Sequence, residues 1–192
     1  MSRIVSATTA VALSIAVAAG SAQAAQRYAP APAGAAGSVL GAAAAGANAW
    51  TFVGMTSQFP CQKDTENQMC GTLNVFMTKD MKRVKRLLIG FEASCNSEDH
   101  IYGTTWSYTG LPTTRSRHNT TAAFTRQGAV DLQLGGALTG HATTSLRGKV
   151  SYGRRGSGTF EITIDITDQN GQTIDTCATG VLPYHVQALK RA

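Results

Sequence analysis

The stretch Phe160-Glu161-Ile162-Thr163-Ile164-Asp165-Ile166-Thr167 indicates the fold class most clearly. Apolar and polar residues alternate along it, so the apolar side chains fall on one face and the polar ones on the other. This period of two is typical of a half-buried β-strand. Asp168-Gln169-Asn170-Gly171 follows, and Asn-Gly is a strong hairpin turn signal. A hairpin here would place Cys177 on the same face as Ile162 and Ile164, pointing into the core.

Similar alternation recurs from Trp50 onward, and no segment shows the i, i+3, i+4, i+7 stripe of an amphipathic helix. Val130, Leu146 and Tyr152 are among the side chains that the alternation predicts to face the core. About nine short strands joined by Gly, Pro and Asn turns indicate an all-β fold, either a sandwich or a barrel. We expect an antiparallel two-sheet β-sandwich, because polar outer faces and long loops suit two packed sheets. The further strands are predicted at residues 50–55, 71–77, 87–95, 100–109, 120–126, 129–134, 145–152 and 181–187.

The chain has 192 residues and carries a formal net charge of +6, with 43% hydrophobic and 15% charged residues. This length fits one domain after processing, and the composition excludes a disordered or collagen-like protein. Residues 1–24 have a positive start, a short apolar run and small residues at Ala22 and Ala24, the pattern of a cleaved signal peptide. We therefore expect a secreted or cell-envelope protein, extracellular or periplasmic, with no transmembrane segment in the mature chain.

Residues 25–48 hold 11 Ala, 4 Gly and 2 Pro, so they have almost nothing to bury. Such a stretch cannot offset about 1–2 kcal/mol of backbone ordering per residue, which predicts a disordered Ala/Gly/Pro-rich spacer. The β-domain is then expected at residues 49–188, followed by a short tail at 189–192.

Four cysteines in an exported chain admit three pairings. Cys61 and Cys70 flank a short polar loop, which suits a local bridge. Cys95 and Cys177 both fall on the apolar face of a predicted strand, which suits a disulfide between the two sheets. Metal binding or redox chemistry is the alternative, but no C-x-x-C occurs and the spacings match no common zinc site. We predict the pairs Cys61–Cys70 and Cys95–Cys177.

The chain from about residue 71 to 188 resembles a loose group of uncharacterised exported β-sandwich proteins from high-GC, actinobacterial-type bacteria. The resemblance lies in a basic turn, an apolar strand ending in Cys95, Gly-punctuated strands, and Cys177-Ala178-Thr179-Gly180 before a final aromatic strand. It implies the fold and a disulfide. It implies no reaction and transfers no functional residues, and Cys61 and Cys70 have no counterpart in that pattern.

Tyr102, Trp106 and Tyr108 lie on one side of a predicted strand. If exposed, they would form an aromatic platform for sugar rings. Because the opposite side is mostly small or polar, we expect the aromatic side to be the buried one.

A second candidate site is a cluster of cations, with Lys82, Arg83, Lys85 and Arg86 close to Lys79 and opposed only by Asp80. Arg115, Arg117 and His118 follow in a probable loop, and Arg154 and Arg155 in another. Such clusters attract anionic polymers, but Lys and Arg also protect sheet edges from aggregation. For an exported protein the expected partner is an anionic cell-wall polymer, a glycan or a secreted protein rather than nucleic acid.

No nucleophile motif, metal-ligand spacing or phosphate-binding glycine loop is present in the sequence, so we name no catalytic residue, metal or cofactor. The Glu98-Asp99-His100 triplet has the composition of a solvated turn. The leading hypothesis is a non-catalytic binding module. The alternatives are a glycan hydrolase using Glu92, Glu98, Asp99 or Asp131 as acid and base, and a protease inhibitor presenting the Cys61–Cys70 loop.

Overall fold

The computed structural model describes residues 50–61, 69–97, 101–118 and 120–189. These ranges contain no helix, and hence none that could span a membrane. The predicted signal peptide, the spacer and residues 190–192 of the tail lie outside them. The ten strands are β1 (Trp50–Thr56), β2 (Thr72–Met77), β3 (Arg83–Cys95), β4 (Ile101–Pro112), β5 (Thr114–Arg115), β6 (Thr121–Gly135), β7 (Leu138–Ser151), β8 (Arg155–Thr167), β9 (Thr173–Ala178) and β10 (Leu182–Ala188).

The strands form one antiparallel sheet, and part of it closes into a six-stranded barrel. The ring runs β10, β1, β2, β3, β9, β8 and back to β10. Closure depends on β10, which pairs with β1 along one edge and with β8 along the other. The preference for two separate sheets over a barrel is therefore not confirmed, although the all-β prediction is.

The join between β3 and β9 is the weakest in the ring, because only Ser94–Ala178 and Cys95–Cys177 pair across it. The disulfide Cys95–Cys177 links this second pair. The predicted pairing is confirmed, but the bridge joins adjacent strands of one closed sheet, not two layers. Cys177 is fully buried, as its place on the apolar face predicted. The bridge thus holds the barrel shut where backbone pairing is shortest.

Outside the ring, β7, β6 and β5 extend the sheet from the free edge of β8, and β4 extends it from β3. The predicted strands 120–126 and 129–134 form one strand, β6, because Gly128 stays in register with Thr144 instead of breaking the ladder. No strand among the described residues pairs with β4 on its far edge. Val130, on β6 outside the ring, is 43% exposed, so its predicted place in the core is wrong.

Two glycines on neighbouring strands make room for a tyrosine of β10 in the core. Gly148 on β7, Gly158 on β8 and Tyr184 on β10 lie in one cross-strand row. A Cβ on either glycine would collide with the Tyr184 hydroxyl. The ring therefore lies flat across both strands, and its hydroxyl donates to the Arg147 carbonyl oxygen at 3.0 Å. Burial raises the pKa of Tyr184 well above its ordinary value.

Tyr152 was predicted to point inward with Leu146 and Val150. It is 39% exposed, whereas Leu146 and Val150 are buried. The reason is local, since β7 ends at Ser151 and Tyr152 belongs to the turn that follows.

The Asp168–Gly171 turn is confirmed: the Gly171 amide donates to the Asp168 carbonyl oxygen at 3.0 Å, and β8 and β9 pair on either side of it.

Candidate functional site

Three loops meet at one end of the barrel, and the three groups of basic residues that the sequence separates lie in them and at the adjoining strand ends. Arg115, predicted in a loop, ends β5, while Arg83 and Arg155 begin β3 and β8. The loops are the β2–β3 turn, the β5–β6 connection and the β7–β8 turn, next to the start of β1 and the end of β10. We call this region the basic end and define it by Lys79, Lys82, Arg83, Arg115, Arg117, His118, Arg154 and Arg155. The sequence gives no sign that these groups are neighbours, because strand register alone brings them together.

The carbonyl oxygen of Asp80 holds the loops together. It accepts a hydrogen bond from the Arg115 guanidinium and another from the Tyr152 hydroxyl at 3.2 Å. The Trp50 indole donates to the Lys79 carbonyl oxygen at 3.1 Å and meets the Tyr152 ring edge-on at 6.2 Å. The Arg115 side chain thus has a structural role, because its hydrogen bond helps to hold the loops together. The other cations of the basic end lie around it.

The Asp80 carboxylate fixes the β2–β3 turn. It accepts hydrogen bonds from the Thr78 hydroxyl at 2.7 Å and from the Lys82 amide at 3.1 Å. These bonds lower the pKa of Asp80, the Thr78 hydroxyl contributing most. The carboxylate is therefore ionised at neutral pH and serves the turn.

A β-bulge displays two of the predicted site residues. The register between β2 and β3 shifts between Phe76 and Met77, which leaves Lys85 as the extra residue of β3. A bulge interrupts the in–out alternation of a strand. Lys85 and Arg86 are consequently both exposed, as are Lys82 and Arg83. All four predicted cations are accessible to a partner.

Most of this positive charge is not neutralised within the described part of the chain. Of the Lys and Arg side chains at the basic end, only Lys82 has a described carboxylate within 4 Å, Asp80 at 3.8 Å. Both side chains are well exposed, so this pair contributes little to stability.

Four of the seven described carboxylates lie toward the opposite end; of the other three, Asp80 belongs to the basic end, and Glu92 and Glu161 lie within β3 and β8. Among the described residues, Asp131, Asp165, Asp168 and Asp175 lie on β6, β8, the β8–β9 turn and β9, far along their strands from the basic end. Asp131 faces His141 at 2.7 Å, and the Asp165 carboxylate accepts from the Thr176 hydroxyl at 2.8 Å. Among the described residues, cations therefore outnumber carboxylates at the basic end, where Asp80 is the one carboxylate, and this excess gives that end a positive field.

The aromatic row on β4 is mostly core. Tyr102 and Tyr108 are 1% and 8% exposed, and Trp106 packs against the core while partly accessible. Burial raises the pKa of Tyr102 to about 12. The expectation that this side is buried is confirmed for both tyrosines, so they provide no exposed platform for sugar stacking.

Two of the four carboxylates considered for glycan hydrolysis, Glu92 and Asp131, lie within the described residues. Glu92 is half-buried on β3, and its Oε1 lies near the Cys61–Cys70 disulfide without a hydrogen-bond partner. Asp131 is exposed on β6, a strand that does not pair with β3. Glu98 and Asp99, with His100, lie outside the described residues. Glu92 and Asp131 therefore lie on strands that are not neighbours in the sheet.

The predicted Cys61–Cys70 bridge is present, while residues 62–68 of its loop lie outside the described ranges. The bridge crosses the outer face of β3. There the Cys70 residue pairs with Gly90, and a Cβ on Gly90 would collide with the Met69 carbonyl oxygen. The Gln58 side chain pairs with the Glu92 backbone alongside, donating at 2.6 Å and accepting at 3.1 Å. Both clusters of potential metal ligands among the described residues contain disulfide sulfurs, which are not thiolates.

A shallow groove of about 270 Å³ continues from the basic end along the outer face of the barrel. Sequence reasoning named Arg155 but missed Lys149, Ser157 and His185, which line the groove with it. Each occupies an outward position of a different strand. Only the register of β7, β8 and β10 reveals that they are neighbours.

Comparison with protein-family models, with curated protein sequences and with solved structures finds no match for this chain.

Proposed function

We propose that this chain is an exported, non-catalytic binding protein that holds an anionic polymer against the basic end of its barrel. The observation that carries the proposal is the meeting of three separate basic loops at one end of the barrel. Two disulfides fit an oxidising compartment, and the leader-like residues 1–24 fit export.

The arrangement of the loops supports binding more than solubility alone. Cations that only keep a protein soluble can be scattered, whereas these are gathered by the contacts of Asp80, Arg115 and Tyr152. A backbone that is already held in place by such contacts loses less conformational freedom when a ligand binds. The indole of Trp50 and the exposed ring of Tyr152 lie among them and offer flat apolar surface to a sugar or polyol unit.

The uneven distribution of charge supports the same proposal. With four of the seven described carboxylates toward the far end, an approaching polyanion is attracted more strongly to the basic end than to the other. Extended polymers suit an open end better than a closed cavity, because a chain can run across the loops without a terminus. The proposed ligand is therefore a polymer with repeated negative charges.

The test compares two variants with the same net charge. Lys82→Gln/Arg83→Gln removes two positive charges at the basic end, and Gln133→Glu/Gln169→Glu adds two negative charges at the opposite end. At about 1 kcal/mol for each cation near an anionic surface, the first variant loses about 2 kcal/mol, roughly 30-fold in affinity for polyphosphate or polyglutamate. The second loses far less. In the second variant the slope of log binding constant against log salt concentration also stays at the wild-type value, whereas in the first variant this slope becomes less steep.

Equal losses of affinity in the two variants would show that net charge alone attracts the polymer, and the proposed function would then be wrong. Thermal unfolding of both variants serves as the folding control, since all four positions are exposed.

A further inference from the structure

The groove beside the basic end is lined by donors from neighbouring strands. Lys149 on β7, Ser157 on β8 and His185 on β10 are direct cross-strand partners in one row. Side chains in such a row emerge from Cβ atoms about 4.5–5.5 Å apart on the same face of the sheet. One small ligand can therefore contact all three.

Arg155 adds a fourth donor group beside this row. It precedes Ser157 by two residues in β8, so both side chains leave the same face. Its backbone is anchored, because its carbonyl oxygen accepts from the Ser151 hydroxyl at 3.0 Å. Thr121, on the far side of the groove, contributes another hydroxyl.

These groups have no competing partner among the described residues. The side chains of Lys149, Arg155, Ser157 and His185 make no hydrogen bond or ion pair there, and the groove lining contains no carboxylate. An ammonium group, a guanidinium fork, an imidazole and hydroxyls form a donor set that faces solvent together. Such a set fits an oxyanion with several acceptor oxygens better than a carboxylate, which has two.

We infer that this groove is a phosphate-binding subsite, and that the polymer held at the basic end carries phosphate groups. This inference rests on the proposed function and narrows its ligand class. Arg155 belongs to both surfaces, so a phosphate in the groove lies on a continuous path with the basic end. The groove is open along its length, which lets a phosphate bind while the rest of the polymer continues across the loops.

The test is a titration of the full chain with inorganic phosphate, followed by NMR of the backbone amides and side chains. Phosphate shifts signals of residues 149–157 and His185 in a saturable manner, and acetate at equal ionic strength does not. Lys149→Met and Arg155→Gln each weaken phosphate binding about tenfold, the usual scale for losing a hydrogen bond to a charged group. Arg147→Met is the matched control, since Arg147 is an exposed cation on the same face of β7, and it changes the affinity less than about twofold.

Equal effects of Lys149→Met and Arg147→Met, shifts by acetate that match those by phosphate, or tighter binding of sulfate than of phosphate would each overturn the inference. Ser157→Ala provides a second variant that leaves the charge unchanged, and it is expected to weaken phosphate binding as well.

Polymers separate this inference from the proposed function. Polyglutamate bound as tightly as polyphosphate of equal charge would overturn the phosphate subsite and leave polyanion binding in place. Conversely, phosphate binding in the groove together with no effect of Lys82→Gln/Arg83→Gln on any polymer would support the subsite and contradict the proposed function.

Discussion

Removal of the Cys95–Cys177 bridge should destabilise the barrel far more than removal of Cys61–Cys70. The sequence separations are 82 and 9 residues. On the loop-entropy model these closures correspond to about 4.5 and about 2.5 kcal/mol at 25 °C. The structure indicates that the measured difference in unfolding free energy between the two losses should be at least this large. Cys95–Cys177 is one of only two residue pairs that join β3 to β9, so few backbone hydrogen bonds remain to hold that seam.

The assay is equilibrium urea unfolding of two double variants, Cys95→Ala/Cys177→Ala and Cys61→Ala/Cys70→Ala. We expect the first to lose about 2 kcal/mol more of the free energy of unfolding than the second. Native-state hydrogen exchange should show lost protection in β9 first, while the β6–β7 hairpin keeps its protection. Equal losses in the two variants, or a larger loss from the Cys61–Cys70 pair, would refute the seam argument.

Three further predictions concern the core and the turn. Gly148→Ala places a methyl group against the Tyr184 hydroxyl and should cost about 1–3 kcal/mol in thermal unfolding, whereas Gly128→Ala, with open space around it, should stay within about 0.5 kcal/mol. The raised pKa of Tyr102, about 12, means that burial of the neutral phenol stabilises the fold below pH about 10; this contribution disappears as pH rises toward 12, so phenolate absorbance should appear together with loss of the β-sheet circular dichroism signal. The lowered pKa of Asp80 means that its contribution is complete above the ordinary aspartate pKa of about 3.9 and disappears as pH falls through the lowered value, so Asp80→Asn should be destabilising at pH 7 and equal to wild type in strong acid.

Local pattern was enough to predict much of the strand layout. The alternation at 160–167 lies within β8, and Asn170-Gly171 belongs to the turn that leads to β9. The placement of Cys95 and Cys177 on apolar strand faces was enough to pair them. These features depend on residues that are close in sequence or on the apolar face of a single strand, so the local pattern of residues is enough to predict them.

Closure of the barrel could not be predicted in the same way. It depends on β10 pairing with both β1 and β8, and a strand's pattern shows which face is apolar without showing its two neighbours. Val130 illustrates the consequence. Its side of β6 is apolar, but β6 lies outside the closed ring, and the side chain is 43% exposed.

The candidate site also has one part that the sequence predicts and another part that only the strand register shows. Lys82, Arg83, Lys85 and Arg86 were identified from the sequence because they are dense in one segment. The exposure of the neighbouring residues Lys85 and Arg86, however, depends on a bulge that no motif marks. Ser157 and His185 were missed because each is an ordinary polar position in an alternating strand, and only cross-strand register places them beside Lys149.

The central claim is that the converging basic loops form one polymer-binding surface. Titration of the isotopically labelled protein with polyphosphate, followed residue by residue, tests it most directly. We expect saturable shifts confined to residues 78–83, 113–118 and 149–157 and the end of β10, with β9 and the β6–β7 tip unchanged. Shifts centred on the Asp168 turn, or spread evenly over the barrel without saturation, would contradict the claim.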